Sequence, residues 1–230
     1  MINNMLIVLE GLDGAGKSTQ VKKLKAYLTQ ETGALEYIHF PRYDAPVYGD
    51  LISRFLRGDF GSNEAVHPQL VALLFAEDRH GAGPEIRKAL EEGKTVLLDR
   101  YVYSNIAYQC AKLPEGEERK RLRDWIFNTE YGIFDLPEPD LNIFLDVPIG
   151  FVEESLKKSR EGADRTYLGG ASDIHEASIA FQKTVRSIYV EETRRDSRFQ
   201  RVDCSDSEGR MLPPDAIFDK LKSLVQPHLV

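Results

Sequence analysis

The sequence predicts an α/β protein built on a parallel β-sheet of about five strands, with helices covering both faces. Three observations lead there. Short β-branched or apolar runs alternate with longer amphipathic stretches along almost the whole chain, as βαβ units require. The first run, Met5–Leu9, is continuously apolar rather than alternating, which suits a strand buried on both faces. The residues with chemical potential fall just past predicted strand ends, where open parallel sheets bind ligands.

The elements follow in order. Met5–Leu9 ends at a glycine-rich segment, and from Lys17 to about Tyr27 helical spacing places Val21, Leu24 and Leu28 on one face. Glu36–Phe40 is a second strand, closed by Pro41, and Leu51, Phe55 and Leu56 mark a helix ending near Gly58. From Pro68 to Glu92 the pattern Leu70, Leu73, Leu74 predicts a helix with a break near Gly81-Ala-Gly-Pro84. Thr95–Leu98, ending in Asp99, Leu141–Leu145 and the weaker Phe199–Val202 complete the strands. Past Pro213 a closing helix turns Ile217, Leu221 and Leu224 inward. Ser159–Asp173 is polar, with two Arg and three Gly, and reads as a mobile surface loop between helices. No repeat or composition shift marks a second domain, so 1–230 is expected to be one domain with a lid at about 159–173.

The chain has 230 residues and 30 Lys plus Arg against 37 Asp plus Glu, a net charge of −7. An acidic balance argues against a nucleic-acid binder held by phosphate neutralisation. It leaves a locally positive pocket for a small anion open. Cys110 and Cys204 lie far apart, with no Cys/His cluster, which predicts a reduced, cytoplasmic chain without a disulfide framework or zinc site. No apolar run reaches the roughly 20 residues of a membrane-spanning helix, and the N-terminus lacks a signal-peptide pattern. A soluble protein without nucleic-acid or membrane partners is expected.

Gly11-Leu12-Asp13-Gly14-Ala15-Gly16-Lys17-Ser18 matches G-x-x-x-x-G-K-[ST] and sits between a strand and a helix. Its glycines let backbone N–H groups converge on phosphate oxygens, and the helix N-terminus adds positive potential. Lys17 can then reach the β- and γ-phosphates, and the Ser18 hydroxyl can sit on Mg²⁺. A nucleoside triphosphate site follows. Asp99 at the third strand end is where a metal-directing carboxylate belongs, and Arg100 beside it can fork onto a phosphate. Phe75 and Arg79, four apart on a helix, share a face able to stack on a base and pair with a phosphate; a core Phe with a solvated Arg is the plainer alternative. Arg160 and Arg165 can close over a transferring phosphoryl group, or simply decorate a surface loop.

Taken together, Glu10-Gly-Leu-Asp-Gly-Ala-Gly-Lys-Ser-Thr19, Phe40-Pro-Arg-Tyr43, Phe75…Arg79 and Asp99-Arg-Tyr-Val-Tyr-Ser-Asn-Ile-Ala-Tyr-Gln109 resemble the thymidylate kinases, in the same order and over nearly the whole length. The resemblance implies a P-loop kinase fold, a homodimer, and Mg²⁺-dependent transfer of the γ-phosphoryl of ATP to dTMP, giving dTDP and ADP on the way to dTTP. It implies ATP binding by Gly11 through Thr19. It implies dTMP binding by Asp13 (3′-OH), Phe40, Arg42 and Tyr43 near the acceptor phosphate, Phe75 (stacking), Arg79 (carbonyl edge), Arg100 (phosphate), Asn105 (thymine edge), Tyr108 (crowding the 2′ position) and Gln109. Ser18 and Asp99 would hold the metal. Some relatives carry an arginine where this chain has Gly14, so the catalytic arginine is expected from the lid. Arg165 leads Arg160 there, because Asp164-Arg165-Thr-Tyr167 resembles a family lid pattern with the Arg-to-Tyr spacing changed by one.

The chemistry agrees. A nucleoside monophosphate is already largely dianionic at neutral pH, its second pKa lying near 6. Bringing two anions together therefore calls for Lys17, Arg100, a lid arginine and Mg²⁺, and no strong base. Two other readings compete. A deoxynucleoside kinase would act on a neutral hydroxyl and need a carboxylate base. A nucleotide-binding switch or module would bind without turnover, although the Asn-Lys-x-Asp segment of a guanine-specific switch is missing from the sequence.

Overall fold

The computed structural model describes residues 5–158, 168, 173–176 and 178–229. Its five strands are β1 (Leu6–Gly11), β2 (Leu35–His39), β3 (Thr95–Asp99), β4 (Leu141–Asp146) and β5 (Phe199–Asp203). They form one all-parallel sheet in the order β2-β3-β1-β4-β5. Every predicted strand is present. β1, β3 and β4 are buried along their full length, as unbroken apolar runs between two helical layers must be.

The register positions the site. Leu9 of β1 and His39 of β2 both lie opposite Asp99 of β3, so three strands end side by side. The segments Gly11–Gly16, Phe40–Tyr43 and Arg100–Tyr101 therefore leave the same edge of the sheet. Between β3 and β4 the strand order reverses about β1, which opens a crevice at that edge.

Helix α1 (Lys17–Thr32) buries Val21, Leu24 and Leu28 as its periodicity predicts, and Gly33 closes it in a left-handed conformation. Helix α2 (Tyr48–Leu56) and helix α3 (Pro68–Glu91) follow β2. Between them Ile52, Phe55, Leu56 and Val71 build a small second core apart from the main one. Helices α4 (Val102–Cys110) and α5 (Glu117–Phe127) follow β3, and a π-helical turn at Asn128–Ile133 continues α5. Helix α6 (Ile149–Lys157), helix α7 (Ile179–Arg195) and helix α8 (Pro214–Val225) complete the layers. In α8 Ile217 and Leu221 point inward with Val225, while Leu224 is half-buried.

The expected break in α3 does not occur. The helix runs through Pro84, and its glycines serve close packing instead of a turn. A Cβ on Gly81 would lie 2.9 Å from the Arg42 guanidinium, and one on Gly83 would lie 3.3 Å from Leu136. The face assignment changes too. Leu70 and Leu73 are 63% and 37% exposed, and the buried stripe is made of Val71, Ala72, Ala76, Ala82, Ile86 and Ala89. Small side chains bring α3 close to its neighbours, so size rather than hydropathy marks the inner face. Among the described residues no helix is long and apolar enough to cross a membrane.

Candidate active site

At the crevice a cleft opens between the sheet edge, α2, α3 and α4. Asp13, Phe40, Tyr43, Phe75, Arg79, Arg100, Asn105, Tyr108 and Gln109 all line it, joined by Leu56, Ser104, Asp173 and His175. Nine of the ten residues expected on the acceptor side are thus brought together from five segments. Arg42 is the exception: its guanidinium and backbone N–H are turned onto Asp78, with Nε to Oδ1 at 3.0 Å and N–H to Oδ2 at 2.9 Å. The Phe40–Pro41 peptide is cis, at the point where β2 gives way to the Arg42–Tyr43 segment.

The glycine motif forms the loop between β1 and α1. Gly14 and Gly16 have φ of 73° and 71°, the left-handed region that glycine enters without steric cost. No side chain caps α1, and its first turn carries no acidic residue, so the N–H groups there face outward for an anion. Gly14 backs onto α6, where an added Cβ would sit 3.0 Å from Ser155 Oγ. A side chain at that position would press on Ser155 and carry the strain of a positive φ. Lys17 Nζ rests 2.9 Å from Asp99 Oδ1. Burial alone would raise the Asp99 carboxyl, but the Lys17 ammonium, with His39 and Arg100, outweighs it and holds the group below the usual carboxylate range. The Ser18 hydroxyl is at the exposed start of α1. An exposed hydroxyl and a carboxylate are hard oxygen donors, the type Mg²⁺ takes when substrate phosphates and waters supply the rest. Among the described residues no cluster of three or more His, Cys, Asp or Glu is assembled around a metal.

Arg100 occupies a sharp corner. Its φ of 70° is costly for a residue with a Cβ, and it turns the chain from β3 into α4 within two residues. The guanidinium donates from Nη2 to Asp13 Oδ1 at 2.6 Å and from Nη1 to Ser104 Oγ at 3.1 Å. The Tyr108 hydroxyl donates to Asp13 Oδ2 at 2.8 Å, and Gln182 Nε2 donates to the same oxygen at 3.1 Å. Burial would push the Asp13 carboxyl up, yet the Arg100 cation, with the Tyr108 hydroxyl, keeps it below its ordinary value.

The corner is held from beneath by Glu10, which is fully buried. Its Oε1 accepts the N–H groups of Tyr101 at 2.9 Å and Ser104 at 3.1 Å. Its Oε2 accepts the hydroxyls of Ser104 at 2.5 Å and Tyr189 at 2.9 Å. A carboxylate thus satisfies the free donors at the start of α4.

Arg79 is not a solvated arginine. It is 2% exposed and paired through two nitrogens with Glu130. Phe75 lies half-buried in the cleft wall, its ring stacked 6.4 Å from that of His175. His175 is buried against Tyr108, Phe55 and Phe181, and burial, with the Lys112 cation second, pushes its pKa down to about 3. Glu10, Glu130, Gln182 and His175 went unassigned in the sequence. Glu10 and Glu130 hold partners 25 to 179 residues away and Gln182 reaches Asp13 across 169, so no local spacing announces them. Asp173, at the end of the expected surface loop, is buried at the cleft, whereas Arg160, Arg165 and Tyr167 lie outside the described residues.

Comparison with known proteins agrees with this geometry. Residues 9–211 match the sequence model of the family described as thymidylate kinase. Thymidylate kinase of Mycobacterium tuberculosis is 36% identical over 187 residues, covering 81% of this chain and 85% of that one. The Homo sapiens thymidylate kinase is 36% identical over 166 residues, 72% of this chain and 70% of its own. The solved thymidylate kinase of Candida albicans superposes with a TM-score of 0.72 at 28% identity, over 99% of this chain and 93% of that one. With the phosphate loop, the Arg100 corner and the acceptor-side cleft all formed from the motifs that suggested them, the chain belongs to the thymidylate kinase family of phosphotransferase enzymes.

Proposed function

We propose that the chain transfers the γ-phosphoryl group of ATP to dTMP, giving dTDP and ADP, with Mg²⁺, as a step toward dTTP. The observation that carries this reading is Arg100. Its cation sits at the junction of the phosphate loop and the cleft, tied to Asp13 of the one and Ser104 of the other. A monophosphate in the cleft would meet the guanidinium there, within reach of a γ-phosphoryl group on the loop.

The roles follow from the groups available. The Gly11–Thr19 segment would cradle the ATP phosphates, with the Lys17 ammonium exchanging Asp99 for phosphate oxygens. Phe75 would stack on the base, and Arg79 and Asn105 would meet its polar edge. Tyr108 and Asp13 would face the sugar. Ser18 and Asp99 would hold Mg²⁺, which supplies charge neutralisation across the transferring phosphoryl group. Arg160 or Arg165 would complete the clamp from the lid, since Gly14 brings no side chain of its own to the phosphate loop. No general base is needed, because the acceptor oxygen is already anionic at neutral pH.

The whole of 1–230 is read as one catalytic domain. A homodimer is inferred from Leu70 and Leu73, apolar side chains left exposed on α3. Light scattering at micromolar concentration tests it, with a mass near one chain as the contrary result. The reduced, buried thiols of Cys110 and Cys204 support a cytoplasmic setting.

The test is ADP release with ATP and Mg²⁺ across dTMP, dUMP, thymidine, dCMP and dGMP. Turnover on dTMP with little on thymidine supports the reading, and preference for thymidine would move the chain to nucleoside phosphorylation. Arg100→Ala is expected to lower kcat/KM for dTMP by about 10³-fold or more, the scale of a phosphate-clamping arginine. Activity near that of the wild type would remove Arg100 from the role.

A further inference from the structure

Glu130 is fully buried in the π-helical turn after α5 and belongs to none of the motifs. Its Oε2 accepts from Arg79 Nε at 2.5 Å, and its Oε1 accepts from Arg79 Nη2 at 2.8 Å. The same Oε1 accepts from Asn105 Nδ2 at 2.8 Å, and the Ala72 carbonyl accepts from that nitrogen at 2.9 Å. Both amide hydrogens of Asn105 are thereby committed. The atom lying between a carboxylate and a carbonyl must be the NH₂, because an oxygen there would face two acceptors. The amide oxygen is consequently turned away from Glu130. It is buried and has no hydrogen-bond partner among the described residues.

Asn105 and Arg79 both line the cleft, on the side of Phe75. Arg79 has one edge of its guanidinium committed to Glu130, which leaves both hydrogens of Nη1 and the second hydrogen of Nη2 to donate. One carboxylate thus fixes two neighbouring groups at once: an acceptor, Asn105 Oδ1, and a donor, Arg79 Nη1. A π-turn inserted where this carboxylate is delivered is a further sign, since such insertions concentrate at functional sites.

We propose that Glu130 is a positioning residue for base selection: by locking the Asn105 amide oxygen toward the cleft beside the Arg79 guanidinium, it admits pyrimidines that offer a ring N–H next to a carbonyl and rejects cytosine. Thymine and uracil present N3–H and O4 along one edge. Cytosine presents an acceptor at N3 and an amino donor at the adjacent position, the reverse of what this pair accepts. A fixed acceptor left facing another acceptor is a buried unpaired group, the situation that gives polar sites their strong discrimination. The inference rests on dTMP being the acceptor substrate. Without the Glu130 carboxylate, only the Ala72 carbonyl holds the Asn105 amide, and a cytosine N3 can compete for its NH₂.

The experiment compares wild type and Glu130→Gln, as full-length protein with ATP and Mg²⁺, measuring kcat and KM for dTMP and for dCMP alongside Tm. The expected result is a rise of about tenfold or more in KM for dTMP with kcat within about threefold, and a rise of at least about tenfold in the dCMP-to-dTMP ratio of kcat/KM. A purely structural role would lower Tm and reduce both substrates alike. If Glu130→Gln fails to fold, Arg79→Gln/Glu130→Gln leaves no unpaired buried charge, and measured against Arg79→Gln it should show the same rise in ratio. A soluble variant whose ratio stays within about twofold of its reference, or one that loses both substrates equally, overturns the inference. Wild-type protein that ignores dTMP overturns the proposed reaction and this inference with it, whereas brisk wild-type turnover of dTMP with an unchanged ratio overturns this inference alone.

Discussion

Replacing Glu10 tests whether the site depends on the carboxylate beneath it. Four donors converge on that one group: the N–H groups of Tyr101 and Ser104 and the hydroxyls of Ser104 and Tyr189. Glu10→Ala would break all four bonds in a space that is fully buried. The Tyr101 N–H is left unpaired, the Ser104 N–H keeps only the Tyr101 carbonyl at 3.2 Å, and the hydroxyls of Ser104 and Tyr189 have only each other to donate to, at 2.8 Å. A buried donor without a partner costs about 1–3 kcal/mol, and some of the loss is recovered where water enters. The total is about 4 kcal/mol or more, in the range reserved for broken buried networks. For a chain of this size each kcal/mol moves Tm by about 2–4 °C, so a fall of about 8–16 °C is expected. Glu10→Gln keeps one oxygen for the two N–H groups and offers NH₂ to the two hydroxyls, which must turn to accept. Its cost should be about 2 kcal/mol, with Tm down by about 4–8 °C.

The same substitution should reach the chemistry. Arg100 stands at φ 70° because the turn into α4 is pinned at Tyr101 and Ser104, both bonded to Glu10. Released, the guanidinium loses its aim, and an error of about 1 Å at a reacting group can cost about 10²-fold. Differential scanning fluorimetry gives Tm, and ADP release well below Tm gives kcat/KM for dTMP. A Glu10→Ala protein within about 2 °C of wild type would show that the four bonds contribute little, and refute the reasoning from buried donors.

Two further outcomes are expected. His175 has a folded-state pKa of about 3, below its ordinary 6.5, because burial and the Lys112 cation disfavour its charged form. The unfolded chain therefore binds the proton first as pH falls, and stability drops from about pH 6.5 down toward pH 3. Between pH 6 and pH 4.5 this one group should remove about 2 kcal/mol, and His175→Phe should remove that share of the slope in urea unfolding; parallel curves would show that His175 does not titrate in this way. In α2, a Cβ on Gly49 would lie 2.4 Å from the Tyr43 carbonyl oxygen and 2.8 Å from that of Arg42. Gly49→Ala should push the Arg42–Tyr43 segment aside, costing about 1–3 kcal/mol and raising KM for dTMP while leaving that for ATP; an unchanged KM for dTMP would contradict it.

The sheet was legible because buried parallel strands are written around unbroken apolar runs, as in Leu6–Leu9, Val96–Leu98 and Ile143–Leu145. The cations were legible for a related reason: Arg100 follows the end of β3 directly, and Lys17 opens α1 at the close of the glycine loop that follows β1, so topology predicts where they emerge. Helix α3 was misread where two signals compete. Leu70 and Leu73 look like core, yet the helix lies close to its neighbours through alanine and glycine, and hydropathy undervalues small residues. Three supporting carboxylates were illegible. Glu10, Glu130 and Asp78 act on groups 91–179, 25–51 and 36 residues away, and an isolated Glu or Asp in sequence looks the same whether solvated or buried under a cation.

The way each cation is paired separates the groups that organise the site from those left to work in it. Arg79 spends two nitrogens on Glu130, and its side chain is 3% exposed. Arg42 gives Nε and its backbone N–H to the two carboxylate oxygens of Asp78, and Nη2 to the Asp78 backbone carbonyl. Such multiple ties fix orientation as well as charge, and breaking them strands a buried ion. Lys17 and Arg100 are held differently. Each touches its carboxylate through a single nitrogen, Lys17 at 2.9 Å from Asp99 and Arg100 at 2.6 Å from Asp13. An ammonium has three donors and a guanidinium five, so both keep hydrogens to offer. A single contact also costs less to exchange for a phosphate oxygen, while the carboxylate left behind still holds the arm nearby. Phosphoryl transfer asks for cations that are already placed yet can re-aim as charge moves between oxygens. In this fold the doubly tied arginines brace the cleft on the α3 side, and the singly tied cations stand where the phosphate loop meets the cleft.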